Sequence, residues 1–163
     1  FFLILRKMFN EEEENDNYNT DKVNWEKILK YIPTDKKIWA PFYCDGRQKT
    51  YFADMGFDII HEDEDFFEND KGDVIIDNPP FSKLRPILER IKKLDKPFIF
   101  IMPTDKVNAI WFQKLFKDGL QLIIPTKKIM CSHLDPEIKF KFNWGLYYYC
   151  YNMNLPRDLI FLD

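Results

Sequence analysis

An α/β fold on a mainly parallel sheet is the class this sequence predicts, and three observations predict it. Short apolar segments of strand length alternate with segments of helical spacing, which is the pattern of βαβ units. Pro97 to Met102 is nearly all apolar, as expected of a strand covered by helices on both faces. The last two strand-like segments, Leu120 to Ile124 and Gly145 to Asn152, have no helical segment between them. They read as an antiparallel pair closing one sheet edge.

The elements follow in order. Phe1 to Leu5 is apolar but too short to span a membrane, and Met8 reads as a native start. The run from Glu11 to Asn17 is acidic and polar, so residues 1–17 are expected to be flexible and to precede a single domain over 18–163. Val23 to Ile32 carries Trp25, Ile28, Leu29 and Ile32 at helical spacing, and Pro33 stops it. Lys36 to Phe42 reads as the first strand. Gly46 to Met55 reads as a helix closed by Gly56. Phe57 to His61 is the second strand and Gly72 to Asp77 the third. Leu84 to Leu94 is a helix with Leu84, Ile87, Leu88, Ile91 and Leu94 on one face. Pro97 to Met102 is the fourth strand, followed by a helix over Asn108 to Phe116 that ends near Gly119. The stretch from Pro125 to Asn143 is a long connection rich in lysine.

Composition narrows the function. The net charge of −3 excludes a protein that coats nucleic acid nonspecifically, so any such contact needs a local basic patch. The three cysteines, Cys44, Cys131 and Cys150, are odd in number and form no CxxC. They read as reduced thiols of an intracellular protein. With only His61 and His133 as imidazoles, no metal site is expected.

Asp77-Asn78-Pro79-Pro80-Phe81 is the most informative stretch. Two prolines cannot continue a strand, because they lack donors and fix φ. They form a stiff turn at the carboxyl end of the third strand, the edge where open α/β sheets bind ligands. The turn offers the Asn78 amide oxygen, fixed carbonyls and an aromatic face, Phe81. That set can grip a planar amine. It can equally be an ordinary strand-to-helix turn, and from the residues alone both readings stand.

A Pro-Phe-x-x-Asp-Gly turn after the first strand, acids after the second and Asn-Pro-Pro-Phe after a later strand resemble the class I S-adenosylmethionine-dependent methyltransferases. Within that family the chain is similar to the amino-methyltransferases, especially the adenine-N6 DNA enzymes. The resemblance covers roughly Tyr18 to Asn152. It implies a Rossmann-like sheet, mostly parallel with a terminal antiparallel pair. Too few residues separate the second and third strands for another helix and strand. The resemblance therefore implies a six-stranded variant lacking one usual strand, in the order second, first, third, fourth, sixth, fifth.

The resemblance also implies roles. Asn78, Pro79, Pro80 and Phe81 are the catalytic set. Asn78 Oδ1 and the Pro79 carbonyl would accept the amine N–H bonds, and Phe81 would stack on the base, worth ~1–3 kcal/mol. Asp77 reads as a strand-end residue. The cofactor, S-adenosyl-L-methionine, would be held by Pro41, Phe42, Asp45 and Gly46, by Glu62 or Asp63 on the ribose, and by Asp65 and Phe66 on the adenine. Phe67 is either core or part of that site. Tyr18 and Thr20 belong to a segment that would fold over the cofactor. Ser82, Lys83, Arg85, Lys127, Lys128, Lys139 and Lys141 are candidate contacts to a nucleic acid, DNA first, with Phe140, Phe142 and Trp144 interleaved; the lysine stretch reads equally as a solvated loop over an aromatic edge. A partner subunit could supply target recognition; no membrane is implied. Asn-Pro-Pro-Phe also fits methylation of guanine N2 or adenine in RNA, or of protein glutamine. Ala40 stands where the family has an acid and Cys44 at its first glycine position. These two departures leave a catalytically silent, methyltransferase-like subunit as a further alternative.

Overall fold

The computed structural model describes residues 16–139 and 144–163. Their elements run β1 (Tyr18–Thr20), α1 (Lys22–Glu26), β2 (Ile38–Trp39), α2 (Arg47–Asp54), β3 (Ile59–Ile60), β4 (Val74–Asp77), α3 (Leu84–Leu94), β5 (Phe98–Pro103), α4 (Ile110–Phe116), β6 (Leu120–Ile124), β7 (Cys131–His133), β8 (Leu146–Tyr151) and β9 (Leu159–Phe161). Residues 1–15 of the expected N-terminal segment lie outside the described residues, as do Phe140, Lys141 and Phe142.

One mixed α/β sheet has the strand order β3-β2-β4-β5-β8-β6-β9. Neighbours are parallel from β3 through β5, β8 is antiparallel to both β5 and β6, and β9 is parallel to β6. The six strands expected from the sequence stand in the expected order. The seventh, β9, was not anticipated, and it moves the edge outward: β6 and β8 do not close the sheet. Leu159 to Leu162 alternates outward and inward, but all four residues are apolar, so no period-2 signal is visible.

Alternation along the strands sorts side chains into two layers. On one face Ile38, Ile76, Ile99, Ile101, Tyr148 and Cys150 pack with Trp25, Ile28 and Phe52 from the α1–α2 side. On the other, Ile75, Phe98, Phe100, Met102, Tyr149 and Tyr151 pack with Leu84, Ile87, Leu88 and Ile91 of α3 and with Phe112 and Phe116 of α4. Burial on both faces is why β5 reads as an unbroken apolar run.

Two helices differ from expectation. The first is interrupted: α1 ends at Glu26, Ile28 leaves helical geometry (φ −106°, ψ 11°), and a 3₁₀ turn over Leu29–Tyr31 follows. The last starts late, because Thr104–Asn108 forms its own 3₁₀ turn before Ile110. A second, two-stranded sheet pairs β1 with β7, Tyr18 opposite His133 and Thr20 opposite Cys131. Among the described residues no helix is long and apolar enough to cross a membrane. Cys44, Cys131 and Cys150 are free thiols.

Candidate active site

Strand order creates the site. β2 connects to β3 on one side and β4 returns on the other, so the order reverses between β2 and β4. At such a switch point the loops leaving the carboxyl ends diverge and leave a crevice. A cleft of about 470 Å³ opens there. Pro41 to Cys44 after β2 form one wall and Asn78 to Phe81 after β4 another. Asp63 to Phe67 after β3 and Tyr18 and Asn19 of the N-terminal segment complete it.

Sequence explains the loop after β2. Pro41 has no N–H and ends the ladder. Cys44 takes φ +53° and Gly46 φ +79°. A Cβ on Gly46 would lie 2.6 Å from the Tyr43 hydroxyl oxygen and would have to adopt φ +79°, so a larger residue would be strained and would displace the Tyr43 ring. Cys44 occupies a backbone region that glycine adopts without cost. Ala40 is fully buried; its N–H donates to the Ile60 carbonyl at 2.9 Å and its carbonyl accepts from His61 Nδ1 at 2.7 Å. His61 also stacks on Tyr43, ring centroids 5.1 Å apart, which stiffens the loop. Burial pushes the His61 pKa down, so it stays neutral.

Asn78 carries the chemistry. Its Oδ1 is buried in the described structure and has no hydrogen-bond partner there. A buried acceptor left unpaired costs roughly 1–3 kcal/mol, so such an atom on a cleft wall is suited to a ligand N–H. Pro79 and Pro80 hold the loop, and Phe81 lies between this cleft and a second one of about 360 Å³. Pro103 to Lys106, Trp144 and Gly145 line the rest of that second cavity.

Asp77 sits beneath this wall, 1% exposed. One carboxylate oxygen accepts the Phe42 N–H and the other the Asn78 N–H, each at 2.7 Å. Burial pushes its pKa from 3.8 up to about 8, against the pull of those two N–H groups and the Gln48 amide.

The N-terminal segment fastens across the cleft. Asn19 Nδ2 donates to Asp45 Oδ1 at 2.9 Å, and the Ser82 hydroxyl and N–H both donate to the Asp16 carboxylate. Tyr18 meets His133 edge-on, ring centroids 4.9 Å apart.

Of the sequence candidates, Tyr18, Pro41, Phe42, Asp63, Asp65, Phe66, Asn78, Pro79, Pro80, Phe81 and Lys83 line the cleft. Others stand apart. Glu62 pairs with Lys71 at 2.7 Å, so of the two ribose candidates only Asp63 reaches the cleft wall. Thr20 is buried beside Cys131. Asp45 and Gly46 shape the loop from behind: Asp45 accepts from Asn19 and from Arg47 Nε at 2.7 Å. Ser82 is engaged by Asp16, and Arg85 pairs with Glu89 at 2.9 Å. Lys127, Lys128 and Lys139 are exposed on the segment between β6 and β8. Phe66 is packed in the core while Phe67 is 40% exposed, which removes the core reading of Phe67. Sequence reasoning missed Asp16, Asn19, Tyr43, Glu64 and Cys131 as wall residues. Their only signal was proximity to the motifs, and Cys131 had none.

Comparison with known proteins adds one finding. Over 85 residues the chain is 30% identical to the type II methyltransferase M.EcoRI of Escherichia coli. The match takes in 48% of this chain and 25% of that protein, so the chain spans about a quarter of the length of the curated relative it matches. It supports a methyltransferase relationship. No family model matches the chain. No solved structure matches it either.

Proposed function

We propose that the chain is an S-adenosylmethionine-dependent methyltransferase acting on the exocyclic N6 amine of adenine in DNA. The observation that carries the reading is the buried, unpartnered Oδ1 of Asn78, a residue that lines the cleft together with the loop after β2. The match to M.EcoRI supports methyl transfer, and the strand order supports the class I sheet.

The cleft fits the cofactor in size and lining. Its volume is that of a small-molecule site, and its walls carry both aromatic rings and carboxylates. Phe42, Tyr43 and Cys44 would receive the methionine part, Asp63 the ribose hydroxyls, and Asp65 with Phe67 the adenine. The cofactor supplies an electrophilic methyl group on a sulfonium. The chain's own residues do the rest. An aromatic amine is a poor nucleophile because its lone pair is delocalised into the ring. Asn78 Oδ1 and the Pro79 carbonyl accept its two N–H bonds and turn the lone pair toward the cofactor loop. Asn78 is neutral, so it orients rather than deprotonates, and the proton leaves after transfer. Alignment is the main contribution. Phe81 stacks on the base, which leaves a duplex by flipping.

The test is incubation with labelled cofactor and, in parallel, duplex DNA, single-stranded DNA, RNA and a glutamine peptide, followed by nucleoside analysis. N6-methyladenine from DNA is the expected product. Label in the peptide alone would overturn the substrate. Asn78→Ala is expected to lower turnover by about a hundredfold or more with cofactor affinity retained.

One observation favours a second reading. Ala40 faces the core, so position 40 offers the cleft no carboxylate. If calorimetry finds no cofactor binding and Asn78→Ala changes nothing in any complex, the chain is a silent subunit.

A further inference from the structure

Asp77 takes no part in the mechanism above, yet it is an ionisable side chain sealed at the end of a strand. Its predecessors Val74, Ile75 and Ile76 show what the sheet itself asks for at such positions: apolar side chains. Burying a carboxyl there is unfavourable unless its oxygens find donors. The donors it finds are specific. Oδ2 takes the N–H of Phe42, on the wall formed by the loop after β2. Oδ1 takes the N–H of Asn78, on the wall formed by the loop after β4. Phe42 and Asn78 are 36 positions apart in sequence but line the same cleft. The two distances are both 2.7 Å, at the short end for N–H···O bonds. The Gln48 side chain approaches Asp77 as well and anchors to the Ile76 carbonyl at 3.2 Å, so the carboxyl is held from a third direction.

We propose that Asp77 is a positioning residue: one rigid carboxyl group bolts the cofactor loop to the amine-gripping loop and so sets the separation of methyl donor and acceptor. The proposal rests on the methyl-transfer reading. It also fixes the backbone that carries the unpartnered Asn78 Oδ1, through the Asn78 N–H. Asp77 touches neither substrate nor cofactor. Its effect is transmitted through Phe42 and Asn78, and near-attack geometry is where an error of about 1 Å costs about a hundredfold in rate.

Asp77→Asn tests it. The amide keeps the shape and one acceptor but turns an NH₂ toward the second backbone N–H, so one of the two bolts is lost. With the whole chain, S-adenosylmethionine and an adenine-containing DNA duplex, turnover at saturating substrates is expected to fall by about a hundredfold. KM for the DNA is expected to stay within about twofold, because no DNA-contacting group is changed. Wild-type turnover and cofactor affinity in a variant that only melts earlier, assayed well below its transition, would overturn the proposal. A second measurement needs no variant. NMR scalar couplings across hydrogen bonds should run from the Phe42 and Asn78 nitrogens to the single Asp77 carboxyl carbon. Absence of either coupling would overturn the proposal, since a one-sided bond sets no separation. If the wild-type chain binds no cofactor, the methyl-transfer reading falls by that result alone. The two couplings then decide the clasp by themselves.

Discussion

Cys44 stands at φ +53°, in the left-handed region, on a loop where its neighbour Gly46 does the same at φ +79°. A non-glycine residue there is strained by about 1–2 kcal/mol. Cys44→Gly is therefore expected to stabilise the protein by about 0.5–1 kcal/mol after the entropy of the added glycine is deducted. A urea unfolding midpoint that rises, with an unchanged slope, is the outcome that checks it. Asp77 makes a prediction of opposite kind. Its folded pKa is raised from 3.8 to about 8 by burial. Below 3.8 both folded and unfolded chains hold the proton. Between 3.8 and about 8 only the folded chain holds it, so stability falls as pH rises through that window and levels off above it. The slope is at most about 1.4 kcal/mol per pH unit. Denaturant melts from pH 5 to pH 9 should show the decline in the wild type and its absence in Asp77→Asn.

Among the elements, β1 and β7 matter most to the site. Asp16 and Asn19 flank and occupy this strap, and they tie it to Ser82 on one loop and Asp45 on the other. Replacing both with alanine is expected to raise the cofactor dissociation constant about tenfold by speeding release, as stopped-flow kinetics would read it. The strap also marks where sequence reading stopped. The Asn-Pro-Pro-Phe wall was legible because proline and glycine leave local, unambiguous constraints. The mainly parallel α/β sheet was legible because apolar runs and helical spacings alternate, while its strand order came from the family resemblance. β1 and β7 were not, since Tyr-Asn-Thr and Cys-Ser-His carry no apolar alternation and pair across more than a hundred residues. Asp77 read as a strand end for a related reason. Its donors belong to Phe42 and Asn78, and nothing in the local sequence announces a bond to a loop so far upstream.

For the molecule as a whole, charge is distributed rather than strong. The net charge is −3, and acids crowd the loop after β3 while Lys127, Lys128 and Lys139 stand exposed on the connection to β8. If that connection meets a phosphate backbone, changing the three lysines to glutamate should weaken DNA affinity at every sequence alike. It should also flatten the salt dependence by about three phosphate contacts, as a filter-binding series from low to high salt would reveal. Cofactor affinity should be untouched. The sheet itself carries a consequence for how the chain is made. β8 lies between β5 and β6, though it is synthesised after both. Until Leu146–Tyr151 emerges from the ribosome, the fully apolar β5 presents an open hydrogen-bonding edge beside the finished half of the sheet. Such an edge invites pairing with another nascent chain. The sheet can be completed only once Leu146–Tyr151 has been made, and seating that strand between β5 and β6 is a non-local pairing of the kind that forms slowly.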